Sequence, residues 1–208
     1  MKSGLAALAL SFVATLSMPA QADRLAPFRI MVGAAGHLGH ESTIDVRAFA
    51  GVLLSENGAG PGWRKFAALG AFGGTGNASV PDPRGIDGKV SAYRSFVGPE
   101  LRLGSAWVEE RATRPLDLYL AVAPLRLFAS SISDQLPERG KAWGLRVAAG
   151  VAVPRSWHYA DQAFAPSSCE AGICGIRLFL LLLPNTFELS YERAASANRG
   201  GVVLGYTF

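Results

Sequence analysis

Residues 143–153 read Trp-Gly-Leu-Arg-Val-Ala-Ala-Gly-Val-Ala-Val. The odd positions Trp143, Leu145, Val147, Ala149, Val151 and Val153 are all apolar, and Arg146 and small residues fill the even ones. Successive side chains of an extended chain point to opposite faces, so this alternation gives a strand with one apolar face. A helix would need apolar positions three and four apart.

The same period recurs along the chain. Ile44, Val46, Ala48, Ala50, Val52 and Leu54 share a face, with Asp45, Arg47, Phe49 and Gly51 on the other. Tyr93, Val97, Leu101, Leu103 and Trp107 oppose Arg94, Glu100 and Arg102. Leu116, Leu118, Leu120 and Val122 oppose Asp117 and Tyr119, and Phe187, Leu189 and Tyr191 oppose Glu188, Ser190 and Glu192. Eight strands are expected, near 27–36, 43–54, 63–73, 91–107, 116–128, 142–153, 186–194 and 200–208. The fold class is all-β, a closed antiparallel up-and-down transmembrane β-barrel of about eight strands, with ten as the alternative.

Alternation by itself fits two barrels. A soluble ligand-binding barrel turns its apolar face inward, and a membrane barrel turns it outward to lipid around a polar lumen. Three features favour lipid. The apolar faces run for about 10 residues, the length of a tilted membrane strand. The polar faces are sparse in charge and rich in Gly and Ala, which suits a narrow lumen. They also carry both acids and bases, as buried pairs require. Past the N-terminal run no apolar segment is long enough for a membrane helix, so a span has to be a closed barrel with every backbone group paired.

The N-terminus reads as a secretory signal peptide, residues 1–22. Lys2 supplies the positive start, Leu5 to Leu16 the apolar stretch, and Ala20-Gln21-Ala22 the cleavage site. Residues 23–208 then form the barrel. The chain closes on Gly201-Val-Val-Leu-Gly-Tyr-Thr-Phe208. An aromatic at the last position and another two residues before it, Phe208 and Tyr206, resemble the C-terminal signature of bacterial outer-membrane β-barrels. The Gly expected three residues before Tyr206 is replaced by Val203, with Gly at 201 and 205. The resemblance to the small outer-membrane β-barrel families implies location in the bacterial outer membrane. It also implies reading of Tyr206 and Phe208 as an assembly signal by the barrel-assembly machinery, and contact with outer-membrane lipid and lipopolysaccharide.

Turn residues mark the connectors: Asn57-Gly58-Ala59-Gly60-Pro61-Gly62, and Gly73-Gly74-Thr75-Gly76-Asn77 leading to Pro81-Asp82-Pro83. An even strand count returns both barrel ends to the periplasm. Trp63, Trp107, Trp157, Tyr206 and Phe208 then sit at periplasmic strand ends as an interfacial girdle. Residues 155–183 make a long periplasmic connector. Ile176 to Leu183 is apolar on every face and is expected as a short helix or bent segment ended by Pro184-Asn185. A ninth and tenth strand are the alternative.

Few residues invite chemistry. Cys169 and Cys174 are the only cysteines, and in an exported chain they read as a small disulfide-closed loop. His40 and Ser42 stand two apart, a spacing that resembles the His and Ser of outer-membrane lipid A deacylases. The resemblance is two residues wide and implies nucleophilic attack on an acyl ester. A polar loop is the competing reading there. The expected lumen charges are Arg29, Asp45, Arg47, Arg94, Glu100, Arg102, Asp117, Arg146, Glu188 and Glu192. Asp117, and then Glu188, is the expected partner of Arg146. A lumen of eight strands is just wide enough for side chains to fill, so these charges read as a salt-bridged plug before they read as a pathway. The net charge of +4 is small and scattered, there is no phosphate-cradling Gly motif and no zinc spacing. Nucleic acid, metal and cofactor are therefore not expected. The function expected is an outer-membrane barrel of structural or surface-interaction type acting through loops 74–90 and 129–141. A lipid-acting enzyme and a narrow passive channel are the alternatives.

Overall fold

A computed structural model describes residues 25, 27–39, 42–58, 60–81, 89–108, 116–131, 141–153, 183–194 and 197–207. They form eight strands: β1 (Phe28–Gly39), β2 (Ser42–Asn57), β3 (Gly62–Pro81), β4 (Lys89–Val108), β5 (Leu116–Ser131), β6 (Lys141–Ala152), β7 (Thr186–Ala194) and β8 (Ala197–Thr207). Each strand pairs antiparallel with the next, and β8 pairs with β1. The ring therefore closes at eight, and the ten-strand alternative has no edge left to join. The signal peptide 1–22, the 155–183 connector short of Leu183, Cys169, Cys174, Trp157, His40 and Phe208 lie outside the described residues.

The register sets the tilt of the barrel. Stepping through paired residues from Phe28 to Val52, Leu69, Leu101, Val122, Val147, Tyr191 and Gly200 returns to β1 at Leu38. That point is ten residues up the strand from the start. Such a stagger inclines the strands to the barrel axis by roughly 35–45°. The residues on this path face outward, and all but the glycine are apolar and exposed. We call the end holding Phe28 and Thr207 the base, and the end with the β1–β2, β3–β4, β5–β6 and β7–β8 connections the rim.

Two segments read as connectors are strand instead. Residues 74–81 continue β3, and 129–131 continue β5. The glycines of 73–77 do not break the ladder, and at Gly74 a cross-strand ring occupies the space a side chain would need. Gly74 lies directly opposite Phe96, and a Cβ there would run into the Phe96 ring. The same pairing recurs at Gly104–Phe66, Gly150–Tyr119 and Gly201–His37. Glycine beneath a ring is how a narrow lumen accommodates large side chains. The other glycine-rich connector is a true turn. Gly58, Gly60 and Gly62 have φ of 125°, 76° and 117°, values that residues with a Cβ rarely adopt.

The wall has one weak seam. Pro99 on β4 and Pro124 on β5 stand opposite each other, and the β4–β5 ladder is interrupted between Val97–Arg126 and Leu101–Val122. Neither proline has an N–H to donate. Replacing both by alanine should restore two hydrogen bonds, each worth about 1 kcal/mol. Greater chain freedom in the unfolded state should offset part of that gain. We expect the urea midpoint of the folded barrel to rise. An unchanged or lower midpoint would mean that the interrupted seam costs the barrel nothing.

Candidate functional site

The lumen holds the only dense arrangement of charge among the described residues. Arg29, Asp45, Arg47, Arg94, Glu100, Arg102, Asp117, Arg146, Glu188 and Glu192 are all buried inside the barrel. Each sits at a position alternating with an outward aliphatic or aromatic residue, so strand parity is what aims it inward. The lumen also takes Ser190, expected on the polar face of its strand, and His37, Arg64 and Arg199, which sequence reading left out. Arg64 shares the parity of Phe66 and could have been found. His37 and Arg199 lie just past the expected ends of their strands.

Near the rim, Glu192 gathers three arginines. Arg47 Nη1 donates to its Oε1 at 2.5 Å, Arg199 Nε to its Oε2 at 2.9 Å, and Arg94 Nη2 stands 3.8 Å from Oε2. Arg47 also donates to both oxygens of Asp45, from Nε to Oδ1 and from Nη2 to Oδ2 at 3.1 Å. In the middle, Arg146 bridges Glu100 and Glu188. Arg102 Nε holds the other oxygen of Glu100 at 2.6 Å, and Tyr119 donates to Glu188 at 3.2 Å. Toward the base, Arg29 pairs with Asp117. Arg64 pairs with Glu56 at 2.7 Å and donates twice to the Gly60 carbonyl of the β2–β3 turn, at 2.9 and 2.6 Å.

The buried cations are all arginine. A guanidinium forks onto two carboxylate oxygens and also stacks on rings, which an ammonium does not do. Both uses are present. Arg102 lies 3.7 Å from the Phe49 ring centre, Arg29 3.9 Å from Phe66, and Arg146 4.2 Å from Phe72. Phe49, Phe72 and Phe96 form one apolar cluster with Met31, Ala123, Leu125 and Leu127. A second, around Phe66 and Tyr119, is completed by Ala68, Ala106, Ala121, Ala148 and Ala152. Ion pairs and rings thus fill the interior together. Arg146, Glu100 and Glu188 are 0% exposed, so the middle of the lumen is packed by side chains.

Of the two partners expected for Arg146, Glu188 does pair with it, and Asp117 is corrected. Asp117 belongs to Arg29, because Asp117 pairs in register with Ala152, while Arg146 sits opposite Ala123. Six residues of strand separate those levels, about 20 Å.

Of the two catalytic candidates, His40 lies outside the described residues. Ser42 opens β2 opposite Ser79, half-buried in the ladder. Among the described residues a His–Ser contact does form, His37 Nε2 to Ser190 Oγ at 3.0 Å. Arg47 Nη2 lies 3.3 Å from Nδ1 of the same ring. A guanidinium only donates, so Nδ1 accepts and the proton sits on Nε2, which donates to Ser190. A general base for serine would need that nitrogen bare. The pair ties β1 to β7 and does not activate the hydroxyl.

Outside, the wall is apolar. Val32, Ile44, Val46, Leu54, Val97, Leu103, Leu120, Val122, Leu145, Val147, Leu189 and Leu204 are each at least 42% exposed. Trp63 and Trp107 face each other at the base, 5.5 Å between ring centres and edge to face. Tyr206 is half-buried near the base of β8. A second set, Tyr93, Phe128 and Trp143, is exposed near the rim and was not expected from the sequence. No helix among the described residues is long and apolar enough to cross a membrane, and no group of three metal-ligating side chains occurs among them. Compared with models of known families, with curated proteins and with solved structures, the chain matches none.

Proposed function

We propose that this protein is an outer-membrane β-barrel of structural or surface-interaction type, with its lumen closed by its own ion pairs. The observation that carries the reading is the inverted distribution of polarity. Charge is buried and paired within, while valine, leucine and isoleucine cover the outside between two aromatic bands. Water would penalise that exterior, and lipid favours it. The aromatic bands suit the two membrane–water interfaces. The signal peptide and the C-terminal Tyr206 and Phe208 fit export and handover to the barrel-assembly machinery. A through-channel is disfavoured by the side-chain-packed middle of the lumen. The seven buried arginines are also nearly balanced by five buried carboxylates and the partly buried Glu56, leaving little charge to select ions.

Two measurements test this together. The mature protein should fractionate with the outer membrane and migrate faster in gels before boiling than after. In planar bilayers it should show no stable conductance. Recovery as a soluble periplasmic protein would overturn the membrane reading. Steady conducting steps would overturn the closed lumen and leave the membrane reading in place.

A further inference from the structure

Charge on the outer face of the wall is rare and of one sign. Among the described strand residues every carboxylate is buried within the lumen or, as Glu56, tied to Arg64. Charged side chains that share the parity of the outward aliphatics are basic: Lys65 on β3, Arg126 on β5 and Arg193 on β7. Lys65 lies at the base, two residues from Trp63. The two arginines lie at the rim and flank β6. Arg126 is the register partner of Trp143, and Arg193 the partner of Leu145. Arg193 is exposed and Arg126 half-buried. The Arg126 guanidinium stands 4.9 Å from the Trp143 ring centre, and Trp143 is 68% exposed, the most exposed aromatic of the wall.

Within the outer-membrane reading, on which this inference rests, these arginines face lipid and not water. A guanidinium against hydrocarbon is expensive, so the patch belongs at headgroup depth, where tryptophan also settles. Among the described wall residues no carboxylate is there to pair with it. A lipid phosphate would supply that counter-charge. Guanidinium forks match phosphate oxygens two at a time. The even strand count turns the rim toward the outer leaflet. We propose that Arg126, Trp143 and Arg193 form a docking site on the barrel exterior for the phosphorylated glucosamine headgroup of lipopolysaccharide. The arginines take the phosphates and Trp143 packs on the sugar and the first acyl carbons.

The test uses the whole mature chain, refolded in detergent, and titrates it with lipopolysaccharide carrying a bisphosphorylated headgroup. The same lipopolysaccharide after enzymatic dephosphorylation, and phosphatidylglycerol, serve as the other probes. Arg126→Gln with Arg193→Gln should weaken binding by about tenfold for each lost charge-assisted contact, whereas Lys65→Gln should leave it unchanged. Dephosphorylated lipopolysaccharide should bind the unaltered protein as weakly as the double variant binds the intact lipid. Insertion of every variant into vesicles, read as heat-modifiable mobility, separates the two questions. A barrel that inserts but binds intact and dephosphorylated lipopolysaccharide alike would overturn the site and leave the membrane reading standing. Phosphatidylglycerol bound as tightly, with the same dependence on the two arginines, would overturn the choice of lipopolysaccharide. Wild-type affinity in the double variant would overturn the role of both residues.

Discussion

Val147→Arg should cost about 2–4 kcal/mol of folding free energy in a bilayer and sharply lower the yield of inserted barrel. Val147 lies mid-strand in β6, between Val122 of β5 and Tyr191 of β7, and its side chain is 42% exposed on the outer face. If that face meets lipid, an arginine there stands near the middle of the hydrocarbon, far from the headgroup depth proposed for Arg126 and Arg193. In water the same change would put a charge onto an apolar surface and cost almost nothing. Folding yield into lipid vesicles, followed by the mobility shift of unboiled samples, reads the difference. Equal yields for Val147→Arg and the unaltered chain would sink the membrane reading at this strand, whatever the C-terminal aromatics imply.

The neighbouring residue faces the other way and should fail for the opposite reason. Arg146→Met should destabilise the barrel by about 3–5 kcal/mol, because it removes one partner from a buried charge network. The loss is not shared equally. Glu100 keeps Arg102 at 2.6 Å, while among the described contacts Glu188 keeps only the Tyr119 hydroxyl at 3.2 Å. The stranded charge is therefore Glu188. Adding Glu188→Gln to Arg146→Met should recover most of the lost stability, since a neutral amide needs no counter-charge and still accepts from Tyr119. Adding Glu100→Gln instead should not, because it strands Arg102 as well. Urea midpoints of the single and the two double variants, all in vesicles, separate these outcomes. A rescue by Glu100→Gln and none by Glu188→Gln would contradict the pairing described here. The two substitutions also probe a single strand from both sides: one adds charge outside, the other removes it inside.

How far the sequence could be read depends on what kind of information each feature carries. The strand at 142–153 was legible to within a residue of β6, Lys141–Ala152, because six alternating apolar side chains leave one extended reading. The strand ends near the rim were less legible. Gly73 to Asn77 carries turn composition, and only the Phe96 ring across the ladder shows that Gly74 can stay in a strand. Stopping β1 at residue 36 and opening β8 at residue 200 hid His37 and Arg199, and with them the contact of His37 with Ser190. His40 and Ser42 stand two apart, a spacing visible in the sequence, whereas His37 and Ser190 are 153 residues apart.

The sequence by itself determined which side of the wall each strand residue occupies. That is a local property, fixed by a period of two along an extended backbone, and it put all ten expected charges on the face that the barrel encloses. Which charge meets which was decided only by the tertiary structure. Closing eight strands with a ten-residue stagger slides every strand along its neighbour, so residues that look level in the sequence end at different depths of the lumen. Asp117 and Arg146 share the inward parity of adjacent strands but lie six residues apart in the β5–β6 register, and the closed ring gives Asp117 to Arg29 of β1 and Arg146 to Glu100 of β4 and Glu188 of β7. Parity is written in each strand alone, and depth exists only once the ring has closed.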